Sequence, residues 1–179
     1  DFHYKKYNNK HIDHKANWVF KKSGENLDYA VLGSSLAFNI IDINTIDSIG
    51  NLEGINLGSG GAAFSQNYVM LEKYLRQNKI ANLILALDKF SLSSRQSFSY
   101  PFSDYAFLPD MQDPIMEDAF KKETPISKFI FWKYIPATKY MEFNYKYPFY
   151  KNFVLGKNEN YSTMEKYRGS SLLKTNKSQ

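Results

Sequence analysis

Apolar positions along the chain gather into three short runs, each closed by small or polar residues. The first, residues 27–32, lies between Asn26 and Gly33, and a run of this length predicts a strand buried on both faces. The second ends in Ile55-Asn56-Leu57, and the third, Leu83-Ile84-Leu85-Ala86-Leu87, stops at Asp88. Between the runs the period changes. Leu36, Ala37, Phe38 and Ile40 start a helix after the first, and a second short helix, capped by Asp42 or Asn44, carries Ile46 and Ile49 until Gly50 ends it. Phe64, Tyr68, Leu71 and Leu75 recur at spacings of four, three and four, one face of an amphipathic helix running to about Asn78. Strand, helix, strand, helix, strand is the order of a right-handed parallel α/β sheet.

The flanks follow other patterns. Residues 1–26 are largely polar, rich in Lys, Asn and His, and read as a leading segment that docks through the cluster Trp18, Val19 and Phe20. After Ser91 a serine-rich stretch leads to Phe98, Tyr100, Phe102, Tyr105 and Phe107, either an extended lid or a loop pinned by rings. Asp113-Pro114 opens a helix to about Lys122, with proline in its first turn, and a second helix from Thr124-Pro125 includes Phe129, Ile130, Trp132 and Lys133. Pro136 and Pro148 then interrupt the chain, and the rings from Phe129 to Phe153 read as core or domain interface, with sugar stacking or membrane-interface contact as the alternative. The expected division is a leading segment, 1–26, an α/β domain, 27–156, with an aromatic-rich helical insertion or extension from about residue 91, and a loose tail, 157–179.

Composition narrows this picture little. The 179 residues suit one domain, and 43% apolar with 17% aromatic residues excludes disorder over most of the length. The net charge of +5 is spread out, with its densest excess at Lys5-Lys6, Lys21-Lys22 and between Lys174 and Lys177. That is the charge of an ordinary solvated surface with a slight bias toward a membrane surface or acidic glycan, and no run is dense enough for nucleic acid. Without cysteine there is no disulfide framework or thiolate chemistry, which fits the cytoplasm and the periplasm alike. His11-Ile12-Asp13-His14 lacks an i, i+4 histidine pair and a third ligand, and reads as a solvated cluster; neither metal nor cofactor is expected. No stretch reaches the roughly 18 apolar residues of a membrane span. The chain opens on Asp, so a signal peptide or anchor upstream of residue 1 is an expectation.

Chemistry concentrates at two turns. Gly33-Ser34-Ser35 closes the first run, and a hydroxyl with bare backbone N–H groups at the carboxyl edge of a parallel sheet is where open α/β folds place their sites. Gly58-Ser59-Gly60-Gly61 closes the second, with glycines that permit positive φ and close backbone approach. Each has a plainer reading: Ser35 as a helix N-terminal cap, the glycines as turn-makers, Asp88 as a strand-end residue capping a loop.

Together, Gly33-Ser34-Ser35, Asn56-Leu57-Gly58-Ser59-Gly60-Gly61 and the strand ending at Asp88 resemble the SGNH hydrolase superfamily, in its divergent cell-envelope branch with a Gly-Ser-Ser first block, over about residues 27–92. The resemblance implies a flavodoxin-like three-layer α/β/α sandwich with a parallel sheet. It also implies an esterase or O-acyltransferase acting on acylated cell-envelope carbohydrate. Ser35 would be the nucleophile, the N–H groups of Ser35 and Gly58 would form part of the oxyanion hole, and Ser34, Asn56 and Asp88 would line the site. The implied partner is an acylated glycan or other envelope substrate, in the periplasm or another extracytoplasmic compartment, with membrane-surface association and no nucleic acid.

Two positions depart from the family pattern. Asp88 stands where the family supplies an Asn donor, and a carboxylate repels an oxyanion unless protonated or turned away. No Asp-x-x-His block follows; the histidines are His3, His11 and His14, all upstream of the first run. A serine without a general base is a weak nucleophile. Three explanations stand open: a fragment whose catalytic His lies outside it, a non-catalytic relative that binds or scaffolds, or an N-terminal His that folds back. A phosphate- or nucleotide-binding domain is weaker, since the second turn is neither a P-loop nor a dinucleotide fingerprint.

Overall fold

In the computed structural model the described residues are 13–88, 107, 110–135, 138 and 162–171. Among them are three strands and seven helices, in the order α1 (Asp13–Phe20), β1 (Asn26–Gly33), α2 (Ser35–Ile40), α3 (Ile43–Gly50), β2 (Gly54–Asn56), α4 (Phe64–Leu75), β3 (Lys79–Ala86), α5 (Pro114–Glu123), α6 (Ile126–Tyr134) and α7 (Ser162–Lys166). The strands form one parallel sheet in the order β2-β1-β3, so the first apolar run is its centre. The coarse α/β expectation holds in this form.

The central place of β1 in the sheet explains its apolar stretch after the exposed Asp28. Leu27, Tyr29, Ala30, Val31 and Leu32 are all buried, because alternate side chains leave a strand on opposite faces and both faces here are covered. Ala30 and Leu32 enter a large core with Ile55, Leu57, Val69, Met70 and Tyr74, to which α1 adds Trp18 and Val19, α5 Met116 and Phe120, and α6 Phe129 and Trp132. Tyr29 and Val31 meet Ala37 and Ile43 of the two short helices on the other side. The rings of Phe120 and Trp132 pack edge to face, 6.0 Å apart at 82°, an arrangement aromatic quadrupoles favour. The outer strand β3 differs: Leu83, Ile84, Leu85 and Leu87 are 40–51% exposed, although the sequence marks them as the third apolar run.

Element ends deviate from the pattern for local reasons. The long helix stops at Leu75 because Asn78 is a buried turn organiser: its side-chain amide donates to the carbonyls of Tyr74 and Lys22 at 2.9 and 3.0 Å, and its Oδ1 accepts from the Glu25 N–H at 2.9 Å. β3 then starts at Lys79, four residues before the apolar run, since Lys79 pairs with Asn26 and ladder hydrogen bonds do not require an apolar side chain. The second short helix is capped by Asp42 and ends on Asn51, which takes the left-handed conformation at φ 48° that glycine often supplies.

Helix α5 begins as its sequence predicts. Asp113 is the cap, its Oδ1 accepting the Ile115 N–H at 3.0 Å, and its other oxygen meets Arg76 at 3.0 Å and Lys73 at 3.3 Å on α4. Partial burial pushes this carboxyl up, but the Ile115 N–H and the two cations outweigh that and hold it below its ordinary value of 3.8. A group with a depressed folded value stabilises the fold above that ordinary value and ceases to do so as pH falls through the folded one. Asp113→Ala is therefore expected to cost about 1–2 kcal/mol at pH 7. Urea unfolding should show the difference shrinking when repeated well below pH 3.8.

Candidate active site

The parallel register brings the two sequence turns together. Val31 lies opposite Asn56, so the chain leaves both strands at the same edge, tied by the Leu57 N–H to the Val31 carbonyl at 2.7 Å and the Ser59 N–H to the Gly33 carbonyl at 3.2 Å. Closeness explains the glycines. A Cβ at Gly33 would sit 2.6 Å from the Ala86 carbonyl oxygen and 2.8 Å from the Ala37 Cβ, and one at Gly58 would sit 2.7 Å from the same Ala37 methyl. Gly61, at φ +72°, supplies the left-handed turn into α4, while a Cβ at Gly60 would meet nothing within 4 Å.

The two serines divide sharply. Ser34, in extended conformation, is the cap of α2: its buried Oγ accepts the Leu36 N–H at 3.4 Å and donates to the Asp88 carboxylate beyond the end of β3. Capping thus falls to Ser34, one residue before the Ser35 that the sequence offered for it. Ser35 is the first helical residue and is exposed, on a turn whose N–H groups have no intrahelical acceptor. The carboxylate at position 88 is turned onto Ser34, where it joins the ends of β1 and β3.

Asn56 is the polar centre of this edge. Fully buried, it donates through Nδ2 to the Ala37 carbonyl at 2.7 Å and to the Ser170 hydroxyl at 3.2 Å, while its Oδ1 accepts the Gly58 N–H at 2.9 Å. The second donor of the expected oxyanion hole is thus occupied by a side chain of the same turn.

Sequence reasoning missed Lys15 and the segment around Ser170. Residues 162–171 fall in the stretch expected to be a loose tail, yet they lie along β2: the Asn56 N–H donates to the Arg168 carbonyl at 2.9 Å, and Arg168 Nε donates to the Gly54 carbonyl at 2.6 Å. Glu165 accepts from Trp18 Nε1 at 2.6 Å and Lys22 Nζ at 2.9 Å, which joins α7 to α1. Lys15 is completely buried, and its Nζ donates to the carbonyls of Asn56 and Gly169, beside the rings of Trp18 and Phe38. Burial drives its amine well below the ordinary 10.5. Nothing in the pattern distinguishes this lysine from a surface one.

His3 and His11 lie outside the described residues, and of His14 only the backbone, in α1, is described. The Ser91–Ser97 stretch, the rings of residues 98–105 and 140–153, and the Lys174–Lys177 charges also lie outside them. Among the described residues no three His, Cys, Asp or Glu side chains gather as a metal site, and no helix is long and apolar enough to cross a membrane. A cleft of about 340 Å³ between α4 and α5, lined by Ser65, Tyr68, Ile115 and Lys122 among others, includes none of the expected site residues. No protein-family model, curated protein or solved structure matches the chain.

Proposed function

We propose that the chain is an SGNH-like acyl-transfer domain of flavodoxin-like type, an esterase or O-acyltransferase for acylated cell-envelope carbohydrate, with Ser35 as nucleophile. The observation that carries this reading is an exposed serine on the first turn of α2, next to the Gly58 turn at the carboxyl end of the neighbouring strand. The Ser35 hydroxyl adds to the ester carbonyl carbon and passes its proton to a general base. The carbon–oxygen bond to the sugar breaks, the departing sugar oxygen takes that proton from the base and leaves as a hydroxyl, and water or a second alcohol, deprotonated by the same base, removes the acyl group from Ser35. N–H donors facing the developing oxyanion contribute about 3–4 kcal/mol each. The base is a histidine, either one of His3, His11 and His14 folded back from the N-terminal region or one outside these 179 residues. The extracytoplasmic setting, the membrane surface and the glycan partner belong to the same proposal.

A second reading, a non-catalytic SGNH-like binding or scaffold module, is favoured by the engagement of the Gly58 N–H with Asn56 and of Asp88 with Ser34. A fluorophosphonate probe separates the two. On the full-length natural protein the first expects a covalent adduct at Ser35, located by mass spectrometry and lost in Ser35→Ala. An intact Ser35 after prolonged labelling removes the enzyme reading and leaves the binding module.

A further inference from the structure

The Gly58 N–H matters to acyl transfer only when it is available, and in this fold its availability is set from a distance. Its acceptor, Asn56 Oδ1, belongs to a carboxamide whose Nδ2 donates to the Ala37 carbonyl on α2 and the Ser170 hydroxyl and, at 3.5 Å, to the Ile41 carbonyl. Ser170 is itself oriented, since its Oγ donates to the Ile41 carbonyl at 2.7 Å and so turns a lone pair toward Asn56. It is completely buried, at the end of a segment fastened at successive points to the body. Asn44 Nδ2 donates to the Lys166 carbonyl at 2.9 Å, Arg168 spans to Gly54, Lys15 donates to the Gly169 carbonyl, and the Ser171 N–H donates to the Phe38 carbonyl at 2.8 Å. The fastenings differ in exposure: the Asn44 bond is at the surface, whereas those of Lys15 and Ser170 are buried.

We propose that residues 162–171 are a strap that gates the oxyanion donor, with Ser170 as the positioning residue. Docked, the strap holds the Asn56 carboxamide against the Gly58 N–H and closes the donor. Lifted from Ser170 outward, it removes the hydroxyl acceptor and leaves the carboxamide on the Ala37 carbonyl and the long bond to the Ile41 carbonyl, able to swing away and give the N–H to a developing acyl oxyanion. This gate rests on the reading of Gly58 as an oxyanion donor. It reconciles an occupied N–H with an acyl-transfer site, and it makes the docked form the inactive one.

Amide hydrogen exchange on the full chain, followed by NMR, tests the gate without requiring turnover. The Gly58 amide should be protected in the parent and exchange about tenfold faster in Ser170→Ala, the effect of one side-chain hydrogen bond. Ser170→Thr should restore the protection, and the Val31 amide should report an unchanged core. Asn44→Ala loosens the strap from the exposed side and should shift Gly58 in the same direction by less, which keeps the test open if Ser170→Ala does not fold. Unchanged Gly58 exchange in a folded Ser170→Ala, or in Asn44→Ala where the former does not fold, overturns the proposal. Exchange reports the gate and phosphonate labelling reports the chemistry, so either can fail alone.

Discussion

Gly33→Ala is expected to lower stability in urea unfolding by about 2–3 kcal/mol, near the upper end for forced overpacking. The added methyl would lie 2.6 Å from the Ala86 carbonyl oxygen and 2.8 Å from the Ala37 Cβ. The first is backbone of the neighbouring strand, so relief requires β1 and β3 to part where Gly33 and Ala86 are paired. That movement also draws Asp88 away from Ser34, because Asp88 follows the end of β3 by two residues. The variant should therefore lose the Ser34–Asp88 bond together with stability, visible as a changed environment of the Ser34 and Leu36 amides in NMR spectra. A loss below about 0.5 kcal/mol, the size of an ordinary surface substitution, would mean that the strands do not approach this closely.

The second large effect is expected at Lys15. Neutral, its amine carries two hydrogens, and two carbonyls, those of Asn56 and Gly169, receive them. Lys15→Ala removes both donors from buried acceptors, at about 1–3 kcal/mol for each acceptor left unpaired, and leaves a cavity where the stem was. Against this stands the relief of burying no amine, so a net loss of about 2–4 kcal/mol is expected. Lys15→Met fills the volume and should recover the cavity part. The pH dependence carries the sharper signature. Burial lowers the folded value below 10.5, so between the two values the native state holds fewer protons than the unfolded chain. Stability contributed by this group then rises with pH through that window and levels off above 10.5; in acid the native state must bury a charge. Urea midpoints measured at several pH values should show this slope in the parent and its loss in Lys15→Met. A parallel slope in both proteins would place the ionisation elsewhere.

The elements legible in the sequence are those whose signal is local. Three apolar runs mark the three strands and Asp113-Pro114 the start of α5, whereas for α4 the periodicity marks the helix but not its face: Val69, Met70 and Tyr74 pack inward, and Phe64, Tyr68 and Leu75 of the expected apolar stripe are exposed. The two glycine turns were legible as a pair because parallel strands deliver their carboxyl ends to one edge. What stayed hidden depends on partners far along the chain. Lys15 meets Gly169 across 154 positions, and Ser170 meets Asn56 across 114, so no window of neighbouring residues contains the reason for either. Lys15 also inverts the polarity code, since a buried amine satisfied by carbonyls is written with the same letter as a solvated one. The division of labour between Ser34 and Ser35 was hidden for a smaller reason. Adjacent serines can each start a helix, and the side chain that caps is fixed by where Asp88 arrives, which depends on the register of β3.

The crowding of Gly33, Gly58 and Ala37 also sets what descendants of this sequence can explore. Ala37 is the shared obstacle, and a lineage that first drifts to glycine there removes the closest contact facing Gly58. What remains around position 58 is the Asn56 Oδ1 at 3.0 Å and the Gly33 carbonyl at 3.2 Å, tight but within a small adjustment. The same first step relieves position 33 of the Ala37 methyl only, and the backbone Ala86 carbonyl, 2.6 Å from a Cβ there, is unaffected. One glycine is thus conditionally replaceable, by a two-step path in a fixed order, and the other is a dead end for any side chain while the strands keep this spacing.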